Sequence, residues 1–164
     1  MNILGIESSC DDTGLAIVDS SGQIIAHVTS SQHQIHAKYG GIVPELASRD
    51  HVKKFIPLLD FLLNKANTKI SDIGMIAFTN GPGLLGPLLA GASLAKALGW
   101  SRSIPTLEVN HLEAHIYSPM ITEKKLAPPF ISLLVSGGHT LLSIVDEDYQ
   151  SKTLVTTLYD SAGD

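Results

Sequence analysis

The stretch "SCDDTGLAIVD", residues 9–19, returns further along the chain as "SGGHTLLSIVD", residues 136–146. The two stretches align without gaps at a shift of 127 places (136 minus 9). The identical pairs are Ser9/Ser136, Thr13/Thr140, Leu15/Leu142, Ile17/Ile144, Val18/Val145 and Asp19/Asp146. Each stretch belongs to a unit made of an apolar strand, a turn of small residues and a second apolar strand. One match of this length can arise by chance, but two such units, each opening a lobe, indicate a duplicated domain.

The residues around the first copy predict a complete α/β lobe. Three short strands within residues 2–31 precede an amphipathic helix whose apolar residues, from Val52 to Ala66, recur at helical spacing. A strand (73–78), a helix of small residues (about 88–98) and a strand at "IPTLEV" follow. Around the second copy, after Pro128-Pro129, the pattern gives only three strands, "FISLLV", "LLSIVD" and "TLVTTLY" (153–159).

A pair of such hairpins resembles the actin, Hsp70 and sugar-kinase architecture, in which each hairpin turn faces phosphate in the cleft between two lobes. We therefore expect an α/β chain with the actin-like ATPase (ASKHA) fold. The first lobe, residues 1–128, is predicted to be complete and to carry the histidine helix described below. The second, residues 129–164, is predicted to be truncated after its opening three strands and to lack their partner helices.

Composition and charge narrow the class of protein. Hydrophobic residues make up 44% and charged residues 16%, which is typical of a globular chain. Cys10 is the single cysteine, and the N-terminus has no basic n-region, so a cytoplasmic location is predicted. No membrane span is predicted, because the longest apolar run is short and is interrupted by Pro87 and Lys96. The net charge is −5, and the nearest basic cluster is Arg49, Lys53 and Lys54. Any nucleic-acid surface is therefore expected to lie largely elsewhere.

Two histidines, His111 and His115, lie four residues apart in "NHLEAHIYS", which is typical of a helix. At this spacing both imidazoles lie on one helix face, where they can bind one zinc or iron ion, or they can be ordinary surface or capping residues. In the zincin protease motif, H-E-x-x-H, the acid directly follows the first histidine. Here the acid is Glu113, about 200° around the helix from His111, so a protease is disfavoured.

Several turns are candidate ligand sites, each with an ordinary structural alternative. "SGGHT" (136–140) can wrap an anion with its backbone N–H groups or can be a simple hairpin turn with His139 as a turn residue. Asp11 and Asp12 can face a metal-bound phosphate or only bond their own backbone. The loop "TNGPGLLGP" (79–87) follows a strand, where α/β sheets place ligands, and equally suits a tight structural turn. In "PELASRDHVKK", Arg49 and His51 can face a partner, a substrate or solvent.

Five motifs together resemble the TsaD (Gcp-type) family of tRNA adenosine threonylcarbamoyltransferases. In chain order they are "GIESSCDDTG", "YGGIVPELASRDH", "TNGPGLLGPLLAG", "NHLEAHIYSP" and "LLVSGGHT". The resemblance implies transfer of a threonylcarbamoyl group from threonylcarbamoyl-adenylate to N6 of the adenosine 3′ to a tRNA anticodon, releasing AMP. It also implies TsaB-type and TsaE-type partner subunits, tRNAs that read A-starting codons, and no membrane.

The resemblance also implies roles for particular residues. His111 and His115 would bind one iron or zinc ion, together with an aspartate near the family's C-terminus. The adenylate substrate would contact Leu134, Val135, Ser136, Gly137 and Gly138. Asp11 matches an acidic residue implicated in activity. Since family members are about twice as long, we expect the 164 residues to be inactive alone.

Other functions for a chain of this fold are a non-catalytic TsaB-type dimerisation partner, a metallopeptidase and a sugar or acyl kinase. The histidine pair argues against the dimerisation partner and the kinase, because neither needs two metal ligands on one helix face. The position of Glu113 argues against the peptidase.

Overall fold

The structure, a computed structural model, describes residues 1–123 and 125–157. The chain forms two compact units. The first is Met1–His111, and the second contains the described residues from Leu112 onward. The sequence-based boundary between residues 128 and 129 lies further along the chain, and that division stays a prediction.

A five-stranded mixed sheet forms the centre of the first unit, in the order β3-β2-β1-β4-β5. Strands β1, β2 and β3 pair antiparallel, whereas β4 and β5 are parallel to β1. Its strands are β1 (Asn2–Glu7), β2 (Asp12–Asp19), β3 (Ile24–Ser31), β4 (Ile73–Gly81) and β5 (Thr106–Asn110). Its helices are α1 (His33–His36), α2 (Pro44–Lys65) and α3 (Leu85–Arg102), with short 3-10 turns at Ala37–Tyr39 and Ile70–Asp72.

The two long helices cover one face of this sheet. Along α2, Phe55, Leu59 and Leu62 are buried at helical spacing, as the apolar periodicity predicted, and His51 extends the same buried face. Val52 and Ile56 belong to the predicted apolar pattern but are exposed. The helix begins earlier than the apolar pattern does, at Pro44, because proline is well accommodated in a first helical turn. Buried core side chains on the strands are Leu4, Ile6, Leu15, Ile17, Ala26, Ile73, Ile76 and Phe78.

The second unit contains an antiparallel sheet in the order β6-β7-β8, with strands β6 (Phe130–Val135), β7 (Thr140–Val145) and β8 (Ser151–Thr156). Helix α4 (His111–Tyr117) begins at the last residue of the first unit and is followed by α5 (Pro119–Thr122). Ile116 of α4 packs with Leu141 and Val145 in a small core. Residues 158 and 159 of the predicted last strand lie outside the described residues.

The strand pairing repeats at the offset found in the sequence. Gly5 pairs with Ala16 in the first unit, and Ser132 pairs with Ser143 in the second, which is the same pair moved by 127. A register shift interrupts both β2–β3, after Ile17, and β7–β8, after Leu142. The repeated strand–turn–strand unit is therefore a structural repeat.

The turns after the repeated strands also agree in detail. Oδ1 of Asp19 accepts bonds from the N–H groups of Ser21 and Gln23, and Oδ1 of Asp146 accepts them from residues 148 and 150. Each turn also places one residue in the left-handed region, Gly22 at φ 82° and Tyr149 at φ 60°. The same turn is thus built once with glycine and once with tyrosine.

Among residues 1–123 and 125–157, no helix has the length and apolar character needed to cross a bilayer.

Candidate functional site

The carboxyl ends of three parallel strands meet at one edge of the first sheet. There β1 ends at Glu7, β4 at Gly81 and β5 at Asn110. Three segments follow these strand ends: the turn that carries Asp11, the glycine-rich loop (residues 79–87) and helix α4. Open α/β sheets bind ligands at this edge. Asp11 and His111, which the sequence singled out, both follow strands that end there.

Glu7 is the side chain that joins these segments. Its Oε1 accepts the backbone N–H of Ser9 at 2.6 Å, and its Oε2 accepts the Thr79 hydroxyl. Nδ1 of His111 lies 3.3 Å from the same Oε2. Burial would raise the pKa of Glu7, but the bonds from His111, Ser9 and Thr79 outweigh it and lower that pKa from 4.5 to about 2. Glu7 is therefore a carboxylate at neutral pH.

His51 supports the turn between β1 and β2 from the side of helix α2. Its ring is fully buried and stacks on Phe55. Its Nε2 lies 3.0 Å from the carbonyl oxygen of Cys10, and its Nδ1 lies 2.7 Å from the Thr13 hydroxyl. Because a carbonyl only accepts, Nε2 donates to Cys10. His51 thus faces none of the three surroundings considered from the sequence; it is a buried residue that fixes the turn.

The glycine-rich loop packs directly on the same turn. A Cβ on Gly83 would lie 2.5 Å from the carbonyl oxygen of Ser9, which also accepts the Leu84 N–H at 2.8 Å. The buried Ser8 hydroxyl donates to the carbonyl of Pro87 at 3.0 Å. Close packing against Ser9 therefore accounts for Gly83, whereas Gly86 packs against the Ser48 side chain of α2 and Gly81 has a positive φ of 150°.

Asp11 is partly buried and lies in the turn between β1 and β2, directly after the carbonyl that His51 holds. The neighbouring Cys10 is also partly buried. Burial raises the pKa of the Cys10 thiol, and Asp11 raises it further. The thiol is therefore protonated at neutral pH. This is expected of a structural cysteine and not of an activated nucleophile.

His111 and His115 both lie on α4, one turn apart, as the sequence predicted. His111 is 21% exposed in its side chain, and His115 is exposed. Glu113 accepts a bond from the Ser151 hydroxyl at 3.3 Å. Within residues 1–123 and 125–157, no three His, Cys, Asp or Glu side chains are grouped so that they could hold a metal ion.

The second candidate turn, residues 136–139, is closed by its own serine. The Ser136 N–H donates to the carbonyl of His139 at 2.8 Å, and the His139 N–H donates to the Ser136 hydroxyl at 3.0 Å. Gly137 and Gly138 at its tip are exposed, and a Cβ on Gly138 would contact nothing within 4 Å. The strand before the turn contains Leu134, partly buried, and Val135, exposed.

Glu7 and Thr79 belong to this site but were not among the residues predicted from the sequence. Both lie at strand ends, Glu7 as the one acid of the apolar strand "NILGIE" and Thr79 just after "IGMIAF". A charged residue at the carboxyl end of a central parallel strand was the available signal.

Comparison with known proteins places these features in a family. Residues 23–164 match the family model described as "TsaD: tRNA N6-adenosine threonylcarbamoyltransferase". A Bordetella pertussis protein named tRNA N6-adenosine threonylcarbamoyltransferase is 49% identical over 164 residues, which are all of this chain and 47% of that protein. The chain spans about half the length of the curated relatives it matches.

Two solved structures show the fold. YeaZ from Pseudomonas aeruginosa has a TM-score of 0.60 at 15% identity, covering 96% of this chain and 68% of YeaZ. Component A of the Acidaminococcus fermentans (R)-2-hydroxyglutaryl-CoA dehydratase has a TM-score of 0.54 at 13% identity, covering 98% of this chain and 48% of that one. These likenesses confirm the predicted α/β actin-like ATPase fold.

Proposed function

This chain belongs to the TsaD family, and on that premise we propose that it takes part in tRNA modification by threonylcarbamoyl transfer. The threonylcarbamoyl group of threonylcarbamoyl-adenylate would pass to N6 of the adenosine 3′ to the anticodon, with release of AMP. One observation carries this proposal, the 49% identity over every residue of the chain to an enzyme named for that transfer.

We assign the activity to a protein of the relatives' full length and expect the 164 residues to be inactive alone. The chain covers 47% of the Bordetella relative, and the described residues offer His111 and His115 without a third grouped metal ligand. A two-histidine site binds an ion weakly, because zinc and iron sites in enzymes use three or more protein ligands.

His111 and His115 are the residues that would hold one iron or zinc ion. Imidazole nitrogens suit both metals, and two histidines one helical turn apart can approach the same ion. The contact from Nδ1 of His111 to the Glu7 carboxylate fits this role, since metal-binding histidines commonly donate their second ring N–H to a carboxylate. When bound, the ion would supply Lewis-acid stabilisation of the charge that develops as AMP leaves.

The turn at residues 136–139 and the strand before it would bind the adenylate. Leu134, Val135, Ser136, Gly137 and Gly138 are the residues proposed for this contact. The exposed glycines let a ligand approach the backbone closely, and the Ser136–His139 bonds hold the turn in one conformation before the ligand arrives.

We propose Asp11 as the catalytic carboxylate of the first turn. Its backbone is held on one side by the bond from His51 to Cys10 and on the other by the pairing of Asp12 with Ser31. A carboxylate in so restrained a turn can orient a reacting group without first losing conformational freedom. Because the pKa of Cys10 is raised, the adjacent thiol is not ionised at neutral pH and does not act as a charged catalytic group.

The partners of the full-length protein would be TsaB-type and TsaE-type subunits, the tRNA and the adenylate, in the cytoplasm. The net charge of −5 supports a division of labour in which much of the tRNA surface lies outside this chain. The alternative that the chain is itself a TsaB-type partner is disfavoured, because its identity is 15% with YeaZ and 49% with the transferase.

A chimaera tests the proposal. This chain would be joined to the remaining part of the Bordetella pertussis relative, of which it covers 47%. With TsaB-type and TsaE-type subunits, threonylcarbamoyl-adenylate and tRNA, mass spectrometry of digested tRNA should detect threonylcarbamoyladenosine. The chimaera with His111→Ala and His115→Ala should lose both product and bound metal, whereas His33→Ala, an exposed histidine on α1, should change neither.

A folded, metal-loaded chimaera that forms no modified adenosine would refute the transferase function. Metal content that is unchanged after both histidine substitutions would refute the ligand assignment separately.

A further inference from the structure

Glu7 makes three contacts with segments that are far apart in the chain. Its two oxygens contact the N–H of Ser9, the hydroxyl of Thr79 and Nδ1 of His111. The contacted segments are the turn after β1, the end of β4 and the start of α4. All three contacts lie within the first unit. A side chain held from three directions has one available conformation, so it can in turn fix the orientation of a neighbour.

The chemistry of the pair determines which ring nitrogen of His111 carries a proton. A carboxylate only accepts hydrogen bonds, so the contact at 3.3 Å requires a proton on Nδ1. A neutral imidazole protonated at Nδ1 carries its lone pair on Nε2, and it is a lone pair that binds a metal ion. The carboxylate therefore selects the tautomer in which Nε2 is the ligand atom.

We propose that Glu7 is a positioning residue for His111: it holds the ring through Nδ1 so that Nε2 is presented to the metal. This inference rests on the proposed function, because it takes His111 to be a ligand. It adds a residue from the first strand to the two histidines of helix α4. Thr79 shares the same carboxylate oxygen and fixes its direction.

The same carboxylate also links the histidine to the turn that carries Asp11. Oε1 holds the N–H of Ser9, two residues before Asp11, while Oε2 holds His111. A change at Glu7 is therefore expected to reach both the ligand and the turn. The surface carboxylate Glu45, which pairs with Arg49 at 2.6 Å, makes no contact of this kind and is a matched control.

The first experiment uses the 164-residue chain without metal. Nitrogen NMR of the histidine rings at one neutral pH should show His111 protonated at Nδ1 in the wild type. Glu7→Ala should shift this population toward the Nε2-protonated form, and Glu45→Gln should leave it unchanged. A wild-type His111 with an unprotonated Nδ1 would overturn the proposal without any variant.

The second experiment measures zinc binding by competition with a chromophoric chelator. Glu7→Ala should weaken zinc affinity by about 10- to 100-fold, the usual effect of removing such a carboxylate, and Glu7→Gln should restore part of it through its amide oxygen. Circular dichroism confirms that each variant compared is folded. Unchanged affinity in folded Glu7→Gln and Glu7→Ala would refute the positioning role.

His111→Ala separates this inference from the proposed function. If His111→Ala abolishes zinc binding and Glu7→Ala does not weaken it, only the role of Glu7 is wrong. If His111→Ala leaves zinc binding intact, the metal site itself is wrongly assigned.

Discussion

The two hairpins of the repeat have the same strand pairing but opposite patterns of burial. In the first, Leu4 and Ile6 of β1 and Leu15 and Ile17 of β2 share one face and are at most 3% exposed. Moved by 127 places, the equivalent face of the second hairpin has Ile131 at 68%, Leu133 at 65% and Ile144 at 36% exposure. There the opposite face is covered, where Leu141 and Val145 pack on Ile116.

The difference shows that pairing and burial have separate causes. Pairing follows the register of the strands and the number of residues in the turn between them, and both are the same in the two hairpins. Burial depends on what packs against the sheet, which is α2 on the first hairpin and α4 on the second. Identical residues, such as Ile17 and Ile144, thus have different energetic roles.

The largest effect on stability is expected when these two isoleucines are each replaced by alanine. Ile17→Ala should lower the free energy of unfolding by about 3 kcal/mol, because it opens a cavity in a sealed core. Ile144→Ala should lower it by less than about 1 kcal/mol, since an exposed side chain loses little packing. Urea unfolding followed by circular dichroism measures both. Equal losses would mean that the second face is covered in solution.

An intermediate effect is expected from alanine substitution of Gly83, which packs on the first turn, compared with Gly138, which lies in the second turn. Gly83→Ala should cost about 1–3 kcal/mol, because the new methyl group meets backbone atoms of Ser9 that cannot move independently. Gly138→Ala should change thermal stability little, since its Cβ would contact nothing within 4 Å. If Gly83→Ala kept the wild-type melting temperature, the loop would not be packed on the first turn as described.

The smallest effect is expected from substitutions at Gly22 and Tyr149, the residues with positive φ in the two repeated turns. Tyr149→Gly should stabilise the chain by about 1 kcal/mol, because glycine adopts a positive φ without the steric cost that tyrosine bears. Gly22→Ala should destabilise it by a similar amount for the same reason. Thermal denaturation of the paired variants tests the symmetry, and a destabilised Tyr149→Gly chain would show that the exposed ring has a contact of its own.

Most of the fold was predictable from local patterns. Short apolar runs bounded by turns of small residues located the strands, and the spacing of Phe55, Leu59 and Leu62 located helix α2. The start of α2 agrees with the expectation that "PELASRDHVKK" opens the long helix, whereas α3 was underestimated, because its first turn, at Leu85, lies outside the predicted range of about 88–98. Helix ends depend on capping and on tertiary packing, which periodicity does not register.

The candidate site was predictable only in part. His111 and His115 stand out because their spacing matches one helical turn, and Asp11 because it follows an apolar strand. Glu7 did not stand out, and the role of His51 in holding the first turn was not predicted, because their partners lie 104 and 41 residues away in the chain. Hydrogen bonds over such separations depend on how the sheet is assembled, and a single sequence records no pairing between distant strands.

The position of β1 in the sheet has a consequence for the order in which the chain acquires its structure. This strand lies between β2, its neighbour in the chain, and β4, which begins 66 residues after β1 ends (73 minus 7). During synthesis the β1–β2–β3 meander can form at once, but one side of β1 keeps unpaired backbone groups until β4 leaves the ribosome. Until then β1 is an open edge that can recruit strands of other chains.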